Sequence, residues 1–243
     1  MEDLLVRNFQ DMVTKSNHNR AVAIQQITTH IPLKVSQDQI LALMREITFA
    51  EVEEVVKNIP KHKAPGANDF TTEFYQATWS FMGKDIWELV EESRRTRNVY
   101  PALNSMLITL ILKQTKADTP AGFHPIALCN VIYKILSKIM VNRLKPILHD
   151  IISSKQTGFV KCRQILDGII TVQEAMHSLK EKKVKGMLIK LDLSKAYDRL
   201  SWSYLREILV AFGFDSRWIQ WLFSCISTPN YSILPNGAPI QPF

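Results

Sequence analysis

Cysteine, glycine and long apolar runs are all scarce in this chain of 243 residues. Its three cysteines, Cys129, Cys162 and Cys225, are widely spaced and have no Cys-x-x-Cys pair and no histidine at metal-ligand spacing. They therefore indicate neither a disulfide framework nor a zinc site. The longest apolar stretch, at 126–141, is interrupted by Lys134 and Lys138 and is too short and too charged to span a bilayer. The first residues lack the basic and apolar regions of a secretory signal, so we expect an intracellular protein with no membrane partner.

The charge of the chain is concentrated in one region. The net charge is +7, with a pI of about 9.3, and the apolar fraction of 46% is that of an ordinary folded protein. Between 113 and 163, nine basic residues face only Asp118 and Asp150, which accounts for the whole +7. The nine are Lys113, Lys116, Lys134, Lys138, Arg143, Lys145, Lys155, Lys161 and Arg163. One basic region on a neutral body is typical of a phosphate-backbone binder, although a solvated face is the commoner explanation of a basic stretch by itself.

The stretch at 187–193 has the length and composition of a buried strand, opened by Gly186 and closed by Ser194. Asp192 is the only acidic residue in it. A buried, ionised carboxylate is costly unless a cation, a metal or several N–H donors compensate its charge. Two interpretations are open from the strand alone: Asp192 caps the turn that follows, or it is a catalytic carboxylate at the end of the strand.

The residues after this strand complete a motif, Asp-x-x-x-Ala-Tyr-Asp, from Asp192 to Asp198. The string KLDLSKAYDRLSW at 190–202 resembles the first catalytic motif of reverse transcriptases, in the form found in LINE-type (non-LTR) retrotransposons, which are common in plant genomes. The resemblance begins near residue 47. It continues in order through KAPG, FHPIALCNVIYKILSKIMVNRLKPIL, QTGFV, GFDSRWIQW and YSILPNG. Several motifs in one order are more specific than any one of them.

The resemblance implies a helix-rich α+β fold: the fingers and partial palm of a right-hand polymerase, truncated. We predict a helical N-terminal extension at 1–62, a fingers-like region at 63–185 and a partial palm at 186–243. The family chemistry is RNA-directed DNA polymerisation, in which two Mg²⁺ ions assist nucleotidyl transfer onto a primer 3′ hydroxyl. Asp192 is the implied catalytic residue and metal ligand. Tyr197 is implied to lie under the sugar and to reject a 2′ hydroxyl, and a core tyrosine is the alternative.

Two further residues match positions that contact the incoming deoxynucleoside triphosphate in this family. Lys113 follows a predicted buried strand at 106–112, where the family has a lysine that reaches the triphosphate. His124 stands in Phe-His-Pro-Ile, where the family has Phe-Arg-Pro-Ile. Histidine is mostly neutral at pH 7 and donates one N–H where arginine donates five. We therefore expect His124 to weaken nucleotide binding severely.

Three segments are expected to contact the RNA template and DNA primer. The first is the loop containing Lys63, where the second glycine of the family's Gly-Pro-Asp-Gly is replaced by Asp69. The second is a predicted helix at 130–148, whose Lys134, Lys138 and Arg143 lie off the apolar stripe and could equally face water. The third resembles Gln-x-x-Phe-Val-x-Gly-Arg and supplies Gln156, Phe159 and Arg163, with Cys162 in place of glycine. The two lost glycines put the shapes of both loops in doubt.

The chemistry is incomplete in this chain. The remaining metal ligands of the family come from an Asp-Asp hairpin downstream, whereas the adjacent acidic pairs here are Glu2-Asp3, Glu53-Glu54 and Glu91-Glu92, all before Asp192. We therefore expect no polymerase activity from the chain alone. The alternatives are a non-catalytic nucleic-acid-binding protein and an unselected retrotransposon pseudogene product. The resemblance also implies a nuclear location.

Overall fold

The computed structural model describes residues 6–7, 10, 21–113, 119–192 and 200–242. Within these ranges the structure consists mainly of helices, together with one small sheet. The α-helices are α1 (Ala21–Thr28), α2 (Gln37–Met44), α3 (Phe49–Asn58), α4 (Thr72–Ala77), α5 (Trp79–Thr96), α6 (Val131–Ile151), α7 (Ile165–Glu181), α8 (Trp202–Phe212) and α9 (Ser216–Ser227). The strands are β1 (Ser105–Leu112), β2 (Phe123–Cys129) and β3 (Asn230–Leu234). The predicted helix-rich α+β fold class is confirmed. No helix in the described ranges has the length and apolar character needed to cross a membrane.

The sheet has the order β2-β1-β3, with β1 in the centre. β1 pairs with β2 antiparallel, from Met106 opposite Cys129 to Leu112 opposite Phe123. β3 pairs with β1 in parallel, so that Ser105 lies opposite Asn230. Two buried residues, Ile108 and Ile233, form the small apolar cluster of this sheet. The strand predicted at 106–112 is confirmed, starting one residue earlier, but its predicted burial holds only for Met106 and Ile108, while Ile111 and Leu112 are exposed.

One apolar core joins most of the helices. Buried side chains of α3, α5, α6 and α9 meet in it, and Trp218 and Trp221 pack edge to face with ring centroids 5.5 Å apart. The core includes Val52 from the N-terminal extension, Ile139 from the fingers-like region and Trp218 from the partial palm. The three segments therefore share one core. The boundaries drawn at 62 and 185 stay predictions.

The turn between α2 and α3 is held by side chains from other helices. Arg143 binds the carbonyl oxygens of residues 43, 45 and 46, Arg94 binds that of Met44, and Trp87 binds that of Ile47. Thr48 then caps the start of α3, and its hydroxyl accepts a hydrogen bond from the backbone N–H of Glu51. Because these carbonyls have no partners within α2, the donors satisfy groups that would otherwise lack hydrogen bonds.

The segment after α6 differs from the rest of the fold because its apolar side chains face solvent. No residue of α7 is buried, although it carries Ile165, Ile169 and Met176, which are 71%, 49% and 53% exposed. Residues 184–192 follow without regular structure, and Met187 and Leu191 are each 84% exposed. The buried strand predicted at 187–193 is therefore wrong over 187–192, and residue 193 lies outside the described ranges. A strand needs a neighbour for its N–H and C=O groups, and β1, the central strand, pairs on its two sides with β2 and β3.

Candidate nucleotide and nucleic-acid site

The loop end of the β1–β2 hairpin, where β1 leads into the connection to β2, brings together the two residues expected to bind nucleotide. Ile111 lies opposite His124, and the backbone N–H of Lys113 donates to Gly122 O at 2.9 Å. Directly opposed residues of an antiparallel pair project from the same face, so Lys113 and His124 are diagonal neighbours on one face. Both residues are exposed. The hairpin can therefore present an ammonium group and an imidazole to one anionic ligand.

The loop at 153–163 is held in place by Arg163. Its guanidinium donates to the carbonyl oxygens of Ser153 at 2.6 Å, Gln156 at 2.9 Å, Ile152 at 3.1 Å and His149 at 3.3 Å. These carbonyls include the C-terminal end of α6, where helix groups lack partners and a cation is favourable. Arg163 therefore shapes the loop. Its direct contact with nucleic acid stays a prediction.

The backbone of this loop is left-handed at two non-glycine residues. Phe159 has φ 64° and Cys162 has φ 65°. Such conformations are uncommon for residues with a Cβ atom. Phe159 is 92% exposed, and Gln156 in the same loop is also exposed. An exposed ring near Lys155 and Lys161 is suited to stacking on a base while the lysines contact phosphates.

The loop at 61–70 packs against the start of α6. A Cβ atom on Gly66 would lie 2.3 Å from the backbone N of Asn130, so only glycine fits there. Asn130 Oδ1 accepts from the N–H of Asn68 at 3.2 Å, and Lys134 Nζ donates to Ala64 O at 3.4 Å. Lys63 is exposed on this loop, and Lys138 is exposed on α6. These two cations are placed to meet an anionic ligand, whereas the ammonium group of Lys134 bonds to the loop.

The surface position predicted for Arg143 is wrong. Its side chain is only 3% exposed and pairs with Glu51 at 2.8 Å. All five of its N–H donors are used, two by the Glu51 carboxylate and three by the carbonyls of residues 43, 45 and 46. Nucleic acid cannot reach a buried and fully bonded guanidinium without unfolding the α2–α3 turn. The sequence contained an indication that Arg143 is buried. Arg143 lies four residues from both Ile139 and Ile147, which are buried on the apolar stripe of α6.

The carboxylate of Asp192 ends the segment at 184–192 and is exposed. Tyr197 belongs to residues 193–199, which lie outside the described ranges, so its predicted place under the sugar is not described. Within those ranges, no three residues among His, Cys, Asp and Glu come together as a metal site. Asp192 offers the hard oxygen ligand that Mg²⁺ prefers, but one carboxylate is only part of such a site.

The sequence of the chain matches one family model and several known proteins. The family model described as Reverse transcriptase (RNA-dependent DNA polymerase) matches residues 111–243. The chain is 26% identical over 217 residues to the Transposon TX1 uncharacterized 149 kDa protein of Xenopus laevis, covering 87% of this chain and 16% of that protein. It is 26% identical over 222 residues to the Retrovirus-related Pol polyprotein from type-1 retrotransposable element R2 of Nasonia vitripennis, covering 88% and 20%.

A third relative matches over a shorter range. The polyprotein of the same description from Popillia japonica is 22% identical over 129 residues, covering 53% of this chain and 18% of that protein. The chain thus spans between 16% and 20% of the length of these three relatives.

Proposed function

Because the chain belongs to the reverse transcriptase (RNA-dependent DNA polymerase) family, we propose that it binds the incoming nucleotide and the template of an RNA-directed DNA polymerase and carries its first catalytic carboxylate, Asp192. The predicted LINE-type (non-LTR) resemblance is confirmed by the family match and by the transposon relatives. Deoxynucleoside triphosphates, an RNA template and a DNA primer are the substrates that this function requires.

The observation that supports the nucleotide role is the shared face of Lys113 and His124 on the β1–β2 hairpin. A triphosphate carries several negative charges, and two nitrogen donors on one face can contact adjacent phosphate oxygens. Arginine in place of His124 would supply a permanent charge and a planar fork of donors, which suits bidentate phosphate binding. The hairpin is therefore built for triphosphate contact but has a weak donor at one of its two positions.

The catalytic part of the proposal concerns Asp192. In nucleotidyl transfer, the primer 3′ hydroxyl attacks the α-phosphate and pyrophosphate leaves. Mg²⁺, when bound, neutralises charge that develops on the phosphate oxygens. The residues of this chain fit that ion only in part. The acidic residues after Asp192 are Asp198, Glu207 and Asp215, none of them adjacent to another. We therefore propose that the chain by itself does not extend a primer.

Nucleotide binding tests the first part. We expect His124→Arg to tighten binding of a deoxynucleoside triphosphate roughly fivefold to tenfold, because a charge-assisted hydrogen bond replaces a neutral one. Isothermal titration calorimetry would measure the change. His30→Arg is the matched control, since it adds the same charge at an exposed position in the N-terminal extension. Equal tightening in both variants, or none in either, would refute a triphosphate site on the hairpin.

Primer extension tests the second part. With an RNA template, a DNA primer and Mg²⁺, we expect no product from the chain alone. Clear extension that Asp192→Asn abolishes would show that the chain has a complete catalytic site and would overturn the proposed inactivity. Binding of template without any nucleotide binding would favour the alternative of a non-catalytic nucleic-acid-binding protein.

A further inference from the structure

The turn that ends α7 has a defined geometry. The N–H of Val184 donates to Leu179 O at 3.0 Å, and the N–H of Lys183 donates to Lys180 O at 3.2 Å. This pair of bonds, with Lys183 in the left-handed region at φ 51°, is the Schellman motif that closes many helices. A Cβ atom on Gly186 would lie 2.6 Å from the Leu179 side chain, so the chain then runs close against the helix. The turn is therefore ordered by its own backbone bonds.

Lysine is an unfavourable residue for the left-handed position of this motif. Glycine is the usual residue there, because a Cβ atom raises the energy of the left-handed conformation. Lys183 thus strains the backbone, and its side chain is exposed. Backbone strain of this kind, observed at an exposed charged residue, is a reason to look for a function of that charge.

The charges around Lys183 are mostly positive. The segment at 180–185, here called the basic turn, holds Lys180, Lys182, Lys183 and Lys185, and all four are exposed. Its one acidic residue, Glu181, lies 3.8 Å from His177 on the preceding helical turn. Across the described ranges, no ion pair involves any of the four lysines. The basic turn therefore presents a concentrated positive charge on a backbone that two hydrogen bonds close.

We propose that the basic turn binds the phosphate backbone of the nucleic acid on which this family acts. This inference rests on the proposed function and adds a contact outside the basic region at 113–163. Asp192 lies seven positions after Lys185, and an extended chain of that length spans at most about 25 Å. One turn of a nucleic-acid duplex is about 34 Å long. The lysines would therefore contact a duplex within one turn of a primer end held at Asp192.

Binding of the full chain to a labelled RNA–DNA hybrid tests this proposal, with fluorescence anisotropy read at several salt concentrations. We expect Lys182→Gln, Lys183→Gln and Lys185→Gln, combined, to weaken binding roughly tenfold or more. The slope of log affinity against log salt should fall by about 2 to 3, since each lost phosphate contact removes close to one unit. The matched control combines Lys57→Gln, Lys84→Gln and Arg95→Gln, which removes the same charge from exposed positions on α3 and α5. It should leave the slope nearly unchanged.

Lys183→Gly separates a binding role from a structural one. Relief of the left-handed strain should raise the unfolding temperature by about 2–4 °C, while loss of the charge weakens hybrid binding. A rise in unfolding temperature with unchanged binding would show that the turn only connects two segments. Equal effects of the two triple variants would show that only net charge matters, and either result overturns the proposal.

The remaining outcomes are also decisive. If the unmodified chain does not bind the hybrid at all, both this proposal and the template part of the proposed function fail. If it binds, but the basic-turn variant binds equally well, only this proposal fails. If anionic lipid vesicles bind the turn as tightly as the hybrid, and the same substitutions remove that binding, the site is not specific to nucleic acid and the proposal is wrong.

Discussion

Arg143 joins three backbone carbonyls and one carboxylate that all lie before the end of α3. Its guanidinium is almost fully buried, and each of its five N–H groups has an acceptor. Removal of one partner from a buried ion pair leaves the other charge without compensation, which costs more than the pair contributes. Arg143 therefore links the N-terminal extension to α6.

We expect Arg143→Ala to lower the free energy of unfolding by about 3–5 kcal/mol, because Glu51 and three carbonyls lose their donors together. Urea unfolding followed by circular dichroism would measure the loss. Lys138→Ala on the same helix is the control, since Lys138 is exposed and should change stability by less than about 0.5 kcal/mol. A similar small effect of Arg143→Ala would contradict the buried geometry.

Single residues show both the success and the limit of prediction from sequence. Asp69 and Cys162 were singled out because they replace glycines of the family pattern, and both have positive φ, at 57° and 65°. The two loops thus keep the left-handed backbone that glycine permits, despite the substitutions. Arg143 was predicted to lie off the apolar stripe of its helix, although it is four residues from both Ile139 and Ile147, which are buried. A buried arginine is recognised only when its acceptors are known, and these lie more than ninety residues away at Glu51.

Helix α6 and the loop after it form one unit. Helix α6 ends at Ile151, and Arg163 returns to bind the carbonyls of its last residues and of the loop. The loop therefore depends on one side chain for its position beside the helix. The position of the exposed Phe159 therefore depends on the hydrogen bonds of Arg163.

We expect Arg163→Ala to expose the loop to proteolysis, with trypsin cleaving faster after Lys155 and Lys161 by roughly tenfold, because the loop opens locally without its four hydrogen bonds. Mass spectrometry of the fragments would give the rates. Lys145→Ala, an exposed cation on α6, should leave both rates unchanged. Equal rates in the two variants would mean that other contacts order the loop.

The helix at 130–148 was predicted from sequence more reliably than the strand at 187–193. The helix predicted at 130–148 rests on periodic apolar positions, which are a local signal, and it appears in the structure as α6. The stretch at 187–192 has strand composition but lies exposed, since pairing depends on a neighbour that local sequence does not specify. The prediction that Asp192 lies near the end of a buried strand depended on that strand. This predicted position is therefore wrong, and Asp192 is exposed.

At the scale of the whole molecule, the described fold combines a well-packed core with an unusually apolar outer face. α7 and the segment at 184–192 together expose many large apolar side chains, among them Ile165, Leu166, Met187 and Leu191. Folded monomers rarely expose large apolar patches. Such surface binds apolar dyes and promotes association of the isolated chain.

We expect the folded chain to bind the dye ANS, and Ile169→Glu combined with Met176→Glu to reduce the dye fluorescence severalfold without lowering the urea midpoint. Neither side chain is buried within the fold, so the substitutions remove apolar surface without breaking core contacts. Ile139→Glu is the contrasting control, because that residue is fully buried and its substitution should unfold the chain. A large drop in midpoint for the α7 variant would show that this face is packed in solution.

The parallel pairing of β1 with β3 also determines the order in which the strands of the sheet can pair during synthesis on the ribosome. β2 follows β1 closely, so the hairpin can form soon after both emerge, whereas β3 is synthesised more than a hundred residues later. At about 5–20 residues per second, one edge of β1 stays unpaired for roughly 6 to 25 s before β3 has been synthesised. During translation that edge is open to other nascent chains, so slow elongation or crowded polysomes should lower the yield of folded protein.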